Sequence, residues 1–337
     1  MDTLIDYIQS LRLKLRREAR FAAAESYRTV LRSLTSFRRL SAIRFADVSP
    51  ALLKEYEHHL FANDCCRNTV SLYMRLLRSI CRQAAAEGYM HYSDELFAQV
   101  FTGYDPCHKR AVSADIIIQL LHLDLPRASG VAFARDLFLL SFYLRGIPFI
   151  DLAHLRKSDI RDGVLYYRRS KTGQPLAVTL EVWALDIIDR YKKLFPGSPY
   201  LLPIIKSSGT DDDYKQYQSA LRLYNKRLHQ ISFLLGLKKK LTSYVARHSW
   251  ATLAYHEGIP VSEISAGLSH TSEQVTYAYL ESFNPDALAS VNLQVVALVN
   301  SRARKRWEVS RKQKRRRRKG VFRFSKGTGM FTLQRND

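Results

Sequence analysis

Val70, Tyr73, Met74, Leu77, Ile80 and Cys81 recur at the spacing that gathers side chains onto one face of a helix. Asn68-Thr69 opens this segment and Gly88 closes it, the glycine supplying the left-handed residue that commonly ends a helix. The remaining positions carry Arg67, Arg75, Arg78 and Arg82. The expected element is a long helix with one apolar face and one basic face, suited to lying along a phosphate backbone. The same period runs through the rest of the first hundred residues. It predicts helices over 2–23, over 24–38, and from Ser49 (N-cap) and Pro50 (first turn) to Ala62. With only 14 glycines and 10 prolines in 337 residues, a mainly α fold follows.

The pattern lapses at Thr102-Gly103-Tyr104-Asp105-Pro106. This divides the chain into a helical domain over 1–100, a linker over 101–112, a second domain over 113–300 and a tail over 301–337. In the second domain Ser113 caps a helix through Leu121, and Val131–Arg145 forms another, broken by Gly146 and Pro148. A short helical segment then begins at Ile150. Gly163–Arg169 and Leu176–Leu180 read as two strands joined by a turn from Ser170 to Pro175, with Lys171 at its tip. The remainder is helical, apart from a loop around Ser207–Asp213. The fold class is therefore mainly α with a small β-sheet.

Fifty-three Lys and Arg against 31 Asp and Glu leave a formal charge of +22, which points to a polyanionic partner. The tail holds fifteen of these cations against Glu308 and Asp337; its run Arg311–Lys319 self-repels and is expected to be disordered, binding phosphates non-specifically if at all. The most apolar region, Val131–Leu144, carries Arg135 and Asp136 and falls short of the roughly 18 apolar residues a membrane span needs. No membrane role is expected. The opening residues lack a basic, then apolar, export signal. Cys65, Cys66, Cys81 and Cys107 have neither metal-ligand spacing nor the density of a disulfide framework. A cytoplasmic, nucleoid-associated protein is the expectation.

Chemistry concentrates in the second domain. Arg247, in Tyr244-Val245-Ala246-Arg247-His248-Ser249-Trp250, starts a helix that Gly258 and Pro260 end. Gly267-Leu268-Ser269-His270 makes a tight turn, and Thr271 with Gln274 opens a further helix carrying Tyr279, nine residues after His270. Tyr277 competes with Tyr279 on another face, and His248 reads as structural support. Arg145, at a helix end, would by itself be read as a charge complementing the helix dipole.

As an ordered set these residues resemble the signature of the tyrosine recombinase (phage integrase) family: H-x-x-R, then L-G-H, then a tyrosine nine residues beyond. Arg145–Leu155 is similar to the family's G-L-R-x-x-E-L segment, Lys171 to its hairpin lysine, and Asn68–Gly88 to a helix of its core-binding domain. The resemblance spans roughly residues 1–300. It implies a helical core-binding (SAM-like) domain joined to a tyrosine recombinase catalytic domain.

It also implies the chemistry of a site-specific DNA recombinase, an integrase or an invertase, needing neither ATP nor a metal or other cofactor. Tyr279 would attack a phosphodiester to leave a 3′-phosphotyrosyl link. Arg145 and Arg247 would hold the non-bridging oxygens, Lys171 would protonate the leaving 5′-oxygen, and His270 would assist. Arg67, Arg75, Arg78 and Arg82 would contact the duplex. The implied partners are double-stranded DNA with specific sites, three further copies in a tetramer on synapsed DNA, and accessory DNA-bending proteins.

Two positions depart from the pattern. Pro148 stands where the family has its first arginine, so Arg145, three residues earlier, is expected to substitute. Tyr244 stands where the family has the histidine of H-x-x-R. Both resemble a bacterial mobile-element subgroup with R-G-M-S-F and Y-V-A-R-H-S-W. The rival readings are an inactive integrase-like DNA-binding regulator and a type IB topoisomerase. The apolar segment from Glu281 to Val299 would pack either on its own domain or on a neighbouring protomer.

Overall fold

In the computed structural model the described residues are 3–38, 43–105, 111–126, 128–206, 211–277 and 279–280. Cys107, Glu281–Val299 and the tail lie outside them. The N-terminal helices are α1 (Leu4–Arg17), α2 (Phe21–Phe37), α3 (Pro50–Ala62) and α4 (Arg67–Ala86). Their caps follow the local chemistry: the Thr3 hydroxyl accepts from the Asp6 N–H, and Ser49 from the Leu52 N–H with Pro50 at the first position. The break between α1 and α2 falls at Ala19, not at the expected 23/24 boundary. Ala19 takes a left-handed φ of 55°, and the Arg20 N–H returns to the Leu15 carbonyl, so α2 folds back along α1. Apolar periodicity alone does not mark that turn, because no glycine stands there.

These helices enclose one core of Tyr7, Ile8, Leu34, Tyr56, Met74, Leu77 and Ile80, closed by Phe97 and Val100. Asp105, within the stretch expected to be a linker, is held back on α4. The Asn68 side chain both donates to the Asp105 carbonyl and accepts from its N–H, at 2.6 and 2.8 Å. At the far end of that stretch the Val112 N–H donates to the Ser249 hydroxyl at 3.0 Å.

The second group comprises α5 (Ala114–His122), α6 (Gly130–Tyr143), α7 (Phe149–His154), strands β1 (Ile160–Arg161), β2 (Val164–Arg168) and β3 (Pro175–Thr179), then α8 (Val182–Lys192), α9 (Asp211–Leu234), α10 (Val245–His256), α11 (Val261–Leu268) and α12 (Glu273–Tyr277). The strands form an antiparallel sheet in the order β1-β2-β3, with Leu165 opposite Val178 on the core face. Strand β1 was not expected, being only two residues long. Pro175 belongs to β3 rather than to the turn, where as an edge residue it needs no ladder donor.

Helix α6 is apolar almost all round because it is the buried centre, packed against α8, α9 and α10. A large core surrounds it, and a smaller cluster of Ala251, Ile264, Leu268 and Leu280 lies beneath α10 and α11, with Trp250 and Tyr279 against it.

Candidate active site

The turn after α6 fixes the floor of the site. Arg145 and Gly146 both take left-handed φ values, 58° and 69°. Ser141 locks the turn, its carbonyl accepting from the Gly146 N–H at 2.8 Å and its hydroxyl donating to the Ile147 carbonyl at 2.7 Å. Here glycine is obligatory: a Cβ on Gly146 would lie 2.5 Å from the Arg247 Cα. Arg247 is 3% exposed. Its NH1 donates to the Gly146 carbonyl at 3.0 Å, and its NH2 to the Leu268 carbonyl and to His270 Nε2, the latter at 3.0 Å. One NH1 proton and the Nε proton are not used in these bonds, and the Tyr279 side chain lies within hydrogen-bonding range of the guanidinium.

His270 follows the left-handed Ser269 (φ 55°) that ends α11, at the position where the family's L-G-H has glycine. Since guanidinium can only donate, His270 Nε2 must accept from Arg247. The ring proton then sits on Nδ1 and points at the Thr276 hydroxyl, 2.9 Å away. Burial, and then the charges of Arg247, Arg169 and Lys171, push the His270 pKa down to about 4. Burial first, then Arg169, lowers that of Arg247.

Tyr279 was expected on a helix; it lies two residues beyond α12, which starts after Ser272 and ends at Tyr277. It is held by a turn from its N–H to the Thr276 carbonyl at 2.9 Å. Its ring lies against those of His248 (4.6 Å between centroids) and His270 (5.0 Å), tilted by 32° to each, with the Arg247 guanidinium 5.6 Å from its centroid. Tyr277, by contrast, is 52% exposed. Lys171 is exposed at the hairpin tip, and the Ser269 hydroxyl, donating to Gln174 Oε1 at 2.6 Å, fastens that hairpin to the turn carrying His270. Tyr244 precedes α10, partly exposed, with its ring 6.3 Å from that of His248. Burial, then the neighbouring Tyr279, raises its phenol pKa.

Arg145 is half-buried and runs past Gly267, its Cδ 3.8 Å from where a Cβ on that residue would stand. A buried cation that sequence reasoning did not select is Arg169, the last residue before the hairpin turn. Its NH1 is bonded to Asp151, whose other oxygen accepts from the Ser170 N–H at 2.8 Å. The only hint in the sequence is Arg168-Arg169 entering the turn, which does not say which of the two faces inward.

The α4 arginines sit in the other core's domain and are partly engaged there. Arg82 pairs with Asp94 at 2.6 Å, Arg78 donates to the Thr102 hydroxyl at 3.0 Å, and Arg67 stacks on Phe101 at 4.4 Å. Arg75 is exposed and, among the described residues, makes a single long bond, 3.4 Å, to the Ser71 carbonyl. Among the described residues no group of three potential metal ligands occurs, and no helix is long and apolar enough to cross a membrane.

Comparison with known proteins gives a consistent picture. Residues 3–97 match the phage integrase SAM-like domain and residues 128–284 the phage integrase family. Among solved structures, a lambda integrase (75–356) dimer bound to a COC′ core site is 18% identical, with a TM-score of 0.60 over 82% of this chain and 95% of that one. A Tn1549 transposon integrase in complex with transposon right end DNA is 13% identical, with a TM-score of 0.60 over 88% and 99%. A lambda integrase tetramer bound to a Holliday junction is 19% identical, with a TM-score of 0.56 over 81% and 79%. No curated protein sequence matches.

Proposed function

Because the chain belongs to the phage integrase family of tyrosine-type site-specific recombinases, we propose that it cleaves and rejoins duplex DNA through a 3′-phosphotyrosyl link to Tyr279. The observation that carries this is the position of Tyr279, its ring against that of His270 and under the Arg247 guanidinium. In the reaction the Tyr279 oxygen–phosphorus bond forms as the phosphorus–O5′ bond breaks. Arg247 brings the N–H groups not held by main-chain carbonyls, including the NH2 proton that was on His270, onto the non-bridging oxygens. This releases His270 Nε2 to take the phenolic proton, the phosphate offsetting the cations that hold that ring neutral. Lys171, at the hairpin tip, gives a proton to the leaving O5′. Attack by another 5′-hydroxyl reverses these steps, and the bond energy is conserved without ATP. Tyr244 and Arg145 contact the phosphates at the edge of the site.

The partner is double-stranded DNA, gripped by the α4 face and the catalytic domain, with four copies on a synapsed pair of sites and accessory DNA-bending proteins as further partners. The role is integration or inversion, and which DNA ends become joined beside the chain's own gene separates the two. The test uses nicked suicide duplexes carrying the sequences that flank that gene. The expected result is a covalent protein–DNA adduct that disappears in Tyr279→Phe. Binding with no adduct on any such duplex would favour the inactive regulator, and relaxation of supercoils by a monomer the topoisomerase.

A further inference from the structure

Pro148 leaves the site short of one guanidinium, and Arg145 is the nearest replacement in sequence. We propose instead that Arg169, at the foot of the β2–β3 hairpin, is the second guanidinium that binds the scissile phosphate, with Asp151 as its anchor. This rests on the phosphotyrosyl reading above.

Three observations point to Arg169. It is 7% exposed, far more enclosed than a hairpin-foot arginine needs to be. Its NH1 is tied to Asp151, while its Nε is buried with no hydrogen-bond partner. A buried donor left unpaired is costly, and a bound anion is one group that can complete it. The charge around it is unbalanced. Arg169 and Arg247 are both buried and both lower the His270 pKa, with Lys171 adding a third positive charge, and among the described residues the carboxylate paired with Arg169 is that of Asp151. Like charges enclosed together repel strongly unless an anion lies among them, and a phosphodiester is such an anion.

Asp151 explains how the hairpin delivers this group. It stands three residues after Pro148 and has one oxygen on Arg169 and the other on the Ser170 N–H, so α7 clamps the hairpin by two bonds. The hairpin is closed locally by the Arg169 N–H to the Gln174 carbonyl at 2.9 Å, and Gln174 in turn accepts from Ser269 beside His270. The lost arginine has thus been replaced from a different element, with the acidic neighbour of the lost residue holding the substitute in place. Arg145 has no such anchor among the described residues.

The experiment compares Arg169→Ala, Arg169→Lys and Arg145→Ala in the full chain on the nicked duplexes above. Each is prepared with either an ordinary or a methylphosphonate linkage at the cleaved position, and wild type and Tyr279→Phe serve as references. Arg169→Ala is expected to lower the rate of adduct formation on the phosphodiester by about 10²–10³-fold, the loss seen when a transition-state donor is removed, with gel-shift affinity little changed. Arg169→Lys should recover part of that rate and Arg145→Ala should lose much less. On the methylphosphonate, which lacks the charge to be neutralised, Arg169→Ala and wild type should react at similar rates. A merely structural role would depress both substrates equally, and that outcome overturns the proposal, as does wild-type cleavage by Arg169→Ala or a methylphosphonate rescue seen only for Arg145→Ala. If wild type forms no adduct, the phosphotyrosyl reading fails separately. Inorganic sulfate then decides the anion site: a thermal stabilisation that Arg169→Ala diminishes supports it, and an undiminished one overturns it.

Discussion

Two buried carboxylates of the catalytic half hold arginines in opposite ways. Asp136, on α6, is surrounded by Arg135, Arg190 and Tyr191: Arg135 Nε donates to it at 2.9 Å, Arg190 NH1 at 2.6 Å and the Tyr191 hydroxyl at 2.7 Å. Arg135 spends its remaining NH1 on the Leu123 carbonyl, and Arg190 reaches half into water. That cluster is complete. At Asp151 the arginine keeps an unpaired buried Nε and lies near enough to a second buried guanidinium, that of Arg247, for its charge to lower the latter's pKa. The first arrangement ties α8 to α6 and asks for nothing more; the second is stable only at a cost that a bound anion removes. Charge balance, rather than burial of charge, distinguishes a structural ion cluster from one poised to bind.

The comparison can be broken most severely at Asp136. Asp136→Ala leaves Arg135 buried without its partner and should cost about 3–5 kcal/mol of stability, read by denaturant unfolding; a change within experimental error would show that the cluster bears no weight. Gly146→Ala attacks the other region. It forces a Cβ against the Arg247 backbone at a left-handed φ and should cost about 1–3 kcal/mol. Adduct formation should fall much further than stability does, and proportional losses would argue against a role for Arg247 in the reaction.

His270 gives a pH signature. The folded chain takes up its proton near pH 4, the unfolded chain near 6.5, so the unfolded state binds more protons between those values. His270 therefore makes stability rise with pH across that window and fall away as pH drops. His270→Asn should flatten the stability profile there, and an unchanged slope would mean that the ring is not held neutral. Smallest of all, Arg190→Ala, at a half-exposed pair, should cost about 0–1 kcal/mol and leave cleavage unaltered. Measured loss of cleavage would erase the distinction between the two clusters.

The sequence made much of this legible because helices and motifs are local. The face of α4, the break at Gly146, the hairpin with Lys171 at its tip and the spacing from Arg247 to Tyr279 all depend on residues within a few turns of one another. Ala19 was not legible, since a left-handed alanine leaves no mark in composition. Nor was the end of α12 before Tyr279, which depends on packing against His248 and His270. Arg168 and Arg169 are adjacent and chemically identical, and only the strand register turns one to solvent and the other to Asp151.

By itself, then, the sequence determined the helical class, the positive charge and the order of the candidate site residues along the chain, because periodicity and spacing are properties of neighbours. Tertiary structure alone decided which cations are buried, which of them lacks a partner and which nitrogen of His270 carries the proton. Those outcomes follow from contacts between residues as far apart as Gly146 and Arg247 or Asp151 and Arg169, and from the loss of water around them, and neither is written in any one segment.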